Sequence, residues 1–112
     1  MVVKGLPPGE SFSAAIFRYN RGEIVRHLHW GGDPNQEGYR GTLLHYAVRE
    51  NDAEMVRLAI RLGADVNRKS GWAGTTAHVL WTPRSFAKHL RNREIEEILR
   101  QHGGKEEAYS WK

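Results

Sequence analysis

The sequence predicts an all-α solenoid of stacked antiparallel helix pairs with projecting hairpin-like loops, and three observations carry that prediction. The GADVN of 63–67 has a twin in GGDPN at 31–35, thirty-two residues earlier. Thr82, Ala87 and Gly103 keep the mutual distances of Thr42, Ala47 and Gly63. The later copies also punctuate themselves alike, with a threonine N-cap, a polar break after about two turns and a glycine stop. A period of this size belongs to arrays whose units bury their apolar faces only against one another.

The elements follow in order. The first unit, about 11–40, predicts helices over 11–18 and 22–30, stopped by Gly31. In the second, 41–73, Thr42 offers a hydroxyl to an otherwise unpaired first-turn amide and starts a helix over 43–50. Asn51 and Asp52 break it, and Met55, Val56, Ala59 and Ile60 then recur at helical spacing over 53–62, up to Gly63. The third unit, 74–104, repeats the plan: Thr82 caps, and Pro83 takes the first helical position, where a missing N–H costs nothing. Its helices are expected over 83–90 and 92–102, the second marked by Ile95, Ile98 and Leu99 and stopped by Gly103. The glycines suit left-handed C-caps, which penalise a Cβ. The polar tail, 105–112, is expected to fray unless Tyr109 and Trp111 fold back on the last helix.

The T-x-L-H-x-A at 42–47 and the G-A-D-x-N at 63–67 resemble the signatures of the ankyrin repeat family, and the likeness runs over roughly 11–104. It implies a helix–turn–helix–finger unit, with the loops at 33–41 and 65–81 leaving the same side of the stack. It also implies that His45 ties backbone together between adjacent loops. Leu43 departs from the family's usual proline and Ser85 from its usual histidine, while Glu10 and Ser13 replace the threonine and histidine of the first copy. Such decay suits a capping unit with one neighbour.

Composition narrows the function. A chain of 112 residues has room for one domain, and its lack of cysteine excludes disulfides and thiolate metal sites, which fits a reducing, cytoplasmic setting. MVVKGLPPGE has no long apolar stretch, and the longest uncharged run, Ser70 to Pro83, is too short to span a bilayer, so no membrane role is expected. The polar last helix favours a real end to the array. No two of the six histidines stand four apart on a helix face, and no nucleophile elbow, Walker A loop or dinucleotide glycine pattern occurs. The expectation is therefore no enzyme, with no catalytic residues, cofactor or metal.

Two departures fall on the third unit. From Val66 to Arg93 there is no acidic residue, while Arg68, Lys69, Arg84, Lys88, Arg91 and Arg93 all lie inside, in a chain of net charge +4. Gly63 to Gly103 is forty residues rather than thirty-two, which places eight added residues in the loop RKSGWAGTTAHVLW at 68–81. Thr75, Thr76, Val79 and Trp81 favour extended structure there, and Gly71 and Gly74 permit turns, giving an enlarged finger that carries Trp72, His78 and Trp81. Trp81, beside the Thr82 cap, is expected to pack on the helices, whereas Trp72 is divided between packing and display. Glu94, Glu96 and Glu97 read as the solvated face of a cap that also complements the helix dipole.

The resemblance further implies a partner surface on the finger tips and first helices. That surface would carry Phe17, Arg18 and Trp30 from the first unit, Tyr39, Arg49 and Glu50 from the second, and Trp72, Arg84 and His89 from the third. Phe17 and Trp30 could instead complete the core of the cap. The expectation is a monomeric, non-catalytic interaction module that docks an acidic protein on the basic third finger and the concave face, with charge reversal at Arg84 and Lys88 slowing association. Two readings compete: nucleic acid, with Trp72 or Tyr39 stacking on bases, and a structural subunit that self-assembles through the finger.

Overall fold

The computed structural model describes residues 9–70 and 79–110 and contains three helix pairs. These are α1 (Phe12–Arg18) with α2 (Arg21–His29), α3 (Leu43–Arg49) with α4 (Ala53–Arg61), and α5 (Pro83–His89) with α6 (Arg93–Gln101). Every helix lies within one residue of its expected bounds at each end. Each begins on a side chain that accepts from a first-turn amide: Ser11, Asn20, Thr42, Asp52, Thr82 and Asn92 in turn. Gly31, Gly63 and Gly103 sit at φ of 93, 105 and 86°, as the left-handed stops require. The first unit starts one residue late, because Ser11 caps where Glu10 holds the threonine position.

The first helices α1, α3 and α5 pack side by side, and α4 against α6 forms a second layer behind them. Ile16, Ile24, Leu44, Met55, Phe86 and Leu99 are fully or almost fully buried along this seam. Each such side chain contributes about 1.5–3 kcal/mol of transfer free energy. Six consecutive residues of α3, Leu43 to Val48, are buried, because units cover this helix on both sides.

Side-chain hydrogen bonds repeat with the stack. At the finger end, Asn35 Oδ1 accepts from the Asp65 amide at 2.6 Å, and Asn67 Oδ1 accepts from the Lys105 amide at 2.7 Å. At the opposite end the Tyr19 hydroxyl donates to Asp52 at 2.9 Å and the Asn92 amide to Asn51 at 2.7 Å. An ion pair from Arg68 to Glu37, at 3.5 Å, joins the two fingers, which therefore leave the same side.

The tail departs from expectation. Rather than fraying or folding back on α6, Ala108–Ser110 forms strand β2, antiparallel to β1 (Val79–Trp81) at the base of the enlarged finger. The chain approaches that edge because Thr82 Oγ1 donates to the Lys105 carbonyl at 2.6 Å, while its amide donates to Glu107. Residues 71–78 of the enlarged loop, among them Trp72 and His78, and Trp111 in the tail lie outside the described residues.

Candidate functional site

Among the clefts of the described residues three adjoin one another, each sharing a wall with the next. The first lies between α1 and the 33–41 finger, holds about 400 Å³ and is lined by Ser13, Ala14, Phe17, Gly38 and Tyr39. The finger approaches so closely here that a Cβ on Gly38 would stand 2.8 Å from Ile16 and 2.9 Å from Tyr46. Tyr39 is 86% exposed and meets Phe17 edge to face at 5.4 Å. The Arg40 guanidinium lies 6.0 Å from the Phe17 ring centre, and its backbone amide donates to the Tyr46 hydroxyl at 2.7 Å. Phe17 and Trp30 remain 46% and 48% exposed, so neither completes the core of the cap.

From Phe17 a smaller cleft of about 190 Å³ continues past Arg18, Arg40 and Tyr46 to Arg49 and Glu50. Arg49 is also a wall of the third cleft, about 500 Å³, which crosses to the third unit between Val48, Leu90, Arg91, Arg93 and Glu94. Among the described residues no acidic side chain pairs with Arg40, Arg49, Arg91 or Arg93. Arg18 pairs with Glu10 at 3.6 Å.

The acid-free run of the sequence is not acid-free in space. Arg68 pairs with Glu37, Lys69 with Glu107 at 3.3 Å, and Lys88 with Glu106. Arg84 reaches Glu96 at 3.5 Å and donates to the Gly104 carbonyl at 3.1 Å. The bond between Lys88 and Glu106 raises the ammonium pKa and lowers that of the carboxyl. Four of the six basic residues are thus compensated by another finger, by α6 or by the tail, and the uncompensated charge has moved to the turn at Arg91 and Arg93. Sequence separation hid this, because Glu106 and Glu107 return to the finger through the Thr82 bonds and the strand pairing.

The remaining expected site residues scatter. His89 is covered on one side by Trp81, ring centres 4.6 Å apart, so Trp81 packs on the helices as anticipated. Trp30 stands at the end of α2, edge to face on His29, and lines none of the three clefts. Arg40 went unnoticed in the sequence, where nothing marks a lone arginine beside Gly41 as facing an aromatic ring.

His45 is fully buried, with Nε2 2.8 Å from the Trp81 carbonyl and Nδ1 2.6 Å from Thr42 Oγ1. A carbonyl cannot donate, so Nε2 carries the hydrogen and Nδ1 accepts from the threonine. Burial lowers its pKa to about 4, against the Trp81 bond that raises it. Ser13, at the histidine position of the first unit, makes a similar tie by donating to the Glu37 carbonyl at 2.9 Å. Among the described residues no group of His, Asp and Glu could hold a metal ion, and no helix is long and apolar enough to cross a membrane.

A family model described as Ankyrin repeat matches residues 41–71. The chain is similar to the potassium channel AKT1 of Oryza sativa subsp. indica, 32% identical over 74 residues, which cover 65% of this chain and 7% of the channel. It is 36% identical over 80 residues to the potassium channel AKT1 of Arabidopsis thaliana, covering 70% of this chain and 8% of that protein. The chain therefore spans less than a tenth of the length of these relatives.

Proposed function

The chain belongs to the ankyrin repeat family, whose repeats are generally non-catalytic protein-interaction modules, and on that premise we propose that it binds an acidic protein surface in the groove across its three units. The observation that carries the reading is the line of arginines without acidic partners, Arg40, Arg49, Arg91 and Arg93, continuous with the exposed rings of Phe17 and Tyr39. Arginine and aromatic side chains dominate interface energetics, because they bring bidentate bonding or large area at low ordering cost. Glu50 and Arg18 flank the same face and set its polar rim.

The enlarged finger belongs to the proposal as a second contact, with Trp72 in its sequence and Lys69, Arg84 and Lys88 near its base. Those basic groups act with their carboxylate partners rather than as free charges, so the finger contributes shape more than steering. The protein acts in this reading as a cytoplasmic monomer without catalytic activity.

Affinity capture on the full chain, followed by binding kinetics with the captured protein, tests the proposal. Arg49→Glu with Arg91→Glu is expected to abolish binding, and replacing 71–78 by a short glycine turn to weaken it while leaving the melting temperature nearly unchanged. Full affinity in the double arginine variant would remove the groove from the reading. Nucleic acid draws on the same arginines with Tyr39 as a stacking ring, and a shift of random single-stranded RNA or DNA by the chain in a gel would favour it over a protein partner.

A further inference from the structure

The groove changes chemistry along its length, and this points to the kind of segment that fills it. At the α1 end the floor is Ala14 and Gly38 and the walls are Phe17 and Tyr39. Of the two hydroxyls there, that of Ser13 already donates to the Glu37 carbonyl and accepts from Gln36, and the other belongs to the exposed Tyr39. That end offers mainly apolar and aromatic area, with the Tyr39 hydroxyl beside it, as an apolar anchor requires. At the far end Arg49, Arg91 and Arg93 face one cleft with Glu94 as the single acid in its lining, so three cations confront one carboxylate. Between them lies a smaller cleft of about 190 Å³, so a segment that touches both ends runs along all three units, as an extended chain does at about 3.3 Å per residue.

We propose that the occupant is an extended acidic peptide segment with one bulky apolar side chain, which seats between Phe17 and Tyr39 while carboxylates further along reach Arg49, Arg91 and Arg93. The inference rests on the groove being the binding surface and adds the chemistry and order of its ligand. Guanidinium forks match carboxylate geometry and hold it in two parallel bonds. The apolar anchor sets position, and the carboxylates set direction, since reversing the segment would bring carboxylates against the aromatic end. A uniformly charged polymer would leave the Phe17 and Tyr39 end unused.

Fluorescence anisotropy with the full chain tests this. The probes are a labelled peptide in which one tryptophan is joined through a glycine-serine spacer to a run of glutamates, and the same peptide in reverse order. One of the two orders is expected to bind about tenfold or more tightly than a control lacking the tryptophan and than one with lysines for the glutamates. Phe17→Ala is expected to erase the preference for tryptophan and keep that for glutamate. Arg49→Glu with Arg91→Glu is expected to do the converse. Should Phe17→Ala lower the melting temperature, Tyr39→Ala, at a position 86% exposed, makes the same comparison in a folded chain. Failure of both orders to bind, or equal binding by parent and groove variants, overturns the inference. A chain that captures a protein through the groove yet ignores these peptides refutes only the ligand chemistry, whereas capture indifferent to Arg49 and Arg91 refutes the groove itself.

Discussion

Burial drives the His45 imidazole from its ordinary pKa of 6.5 to about 4, even though its bond to the Trp81 carbonyl favours the charged form. The folded state therefore resists a proton that the unfolded chain accepts. Stability from this group is complete above pH 6.5 and is lost as the pH falls towards 4, a change of about 3 kcal/mol at most. Urea titrations at a series of pH values should show that limb in the parent and a flatter one in His45→Gln, whatever the variant loses at neutral pH. Parallel curves would assign the acid limb to the carboxylates alone. Gly63 poses a different residue-scale question, because a Cβ there meets nothing within 4 Å while φ is 105°. Substitution by alanine should cost only the backbone term, about 1–2 kcal/mol, visible as a lower melting temperature. An unchanged melt would mean that the loop relaxes out of the left-handed region.

At the scale of elements, α3 explains why the central unit is the best preserved. With neighbours on both sides it buries Leu43 to Val48 almost completely, so its surface is constrained around the whole helix. Ala47 is small because first helices meet there, and Ala47→Leu should destabilise by about 1–3 kcal/mol through overpacking, measured by denaturant unfolding. A neutral outcome would show that the stack can open at this seam. Among the described residues α1 packs on α3 alone of the first helices, and there Ser13 stands at the histidine position with the cap moved to Ser11. In α6 the apolar face is narrow, Ile95, Ile98 and Leu99, and the opposite face carries the Glu97 to Arg100 pair expected of a solvated cap. Bonds from Arg100 hold the Glu97 carboxyl down to about 2, against a smaller desolvation effect that raises it.

Over the whole molecule, charge is redistributed by folding. Lys69 and Lys88 meet Glu107 and Glu106, while Arg91 and Arg93 meet no acid among the described residues. Steering of an acidic partner should follow the uncompensated pair, because exposed charges are screened beyond about 8 Å at physiological salt. Association rates measured across ionic strengths should fall more, and lose more of their salt dependence, in Arg91→Glu with Arg93→Glu than in Lys69→Glu with Lys88→Glu. Equal slowing by the two pairs would return recognition to the third finger.

The repeat, the six helices, the Thr42 and Thr82 caps and the glycine stops were legible in the sequence because each depends on residues close together: a threonine and the amide three ahead, apolar positions on one helical face, a glycine after the last turn. Tyr39 and Arg49 were also legible as surface residues through the resemblance to the family, which left Phe17 divided between that surface and the core. Tertiary structure alone decided which charges remained available. Glu37, Glu106 and Glu107 are remote in sequence from the groups they neutralise, and they arrive there by finger-to-finger contact and by pairing of β2 with β1. Local pattern specifies helices through short-range hydrogen bonds, but the field at a surface sums over every charge that folding brings near it.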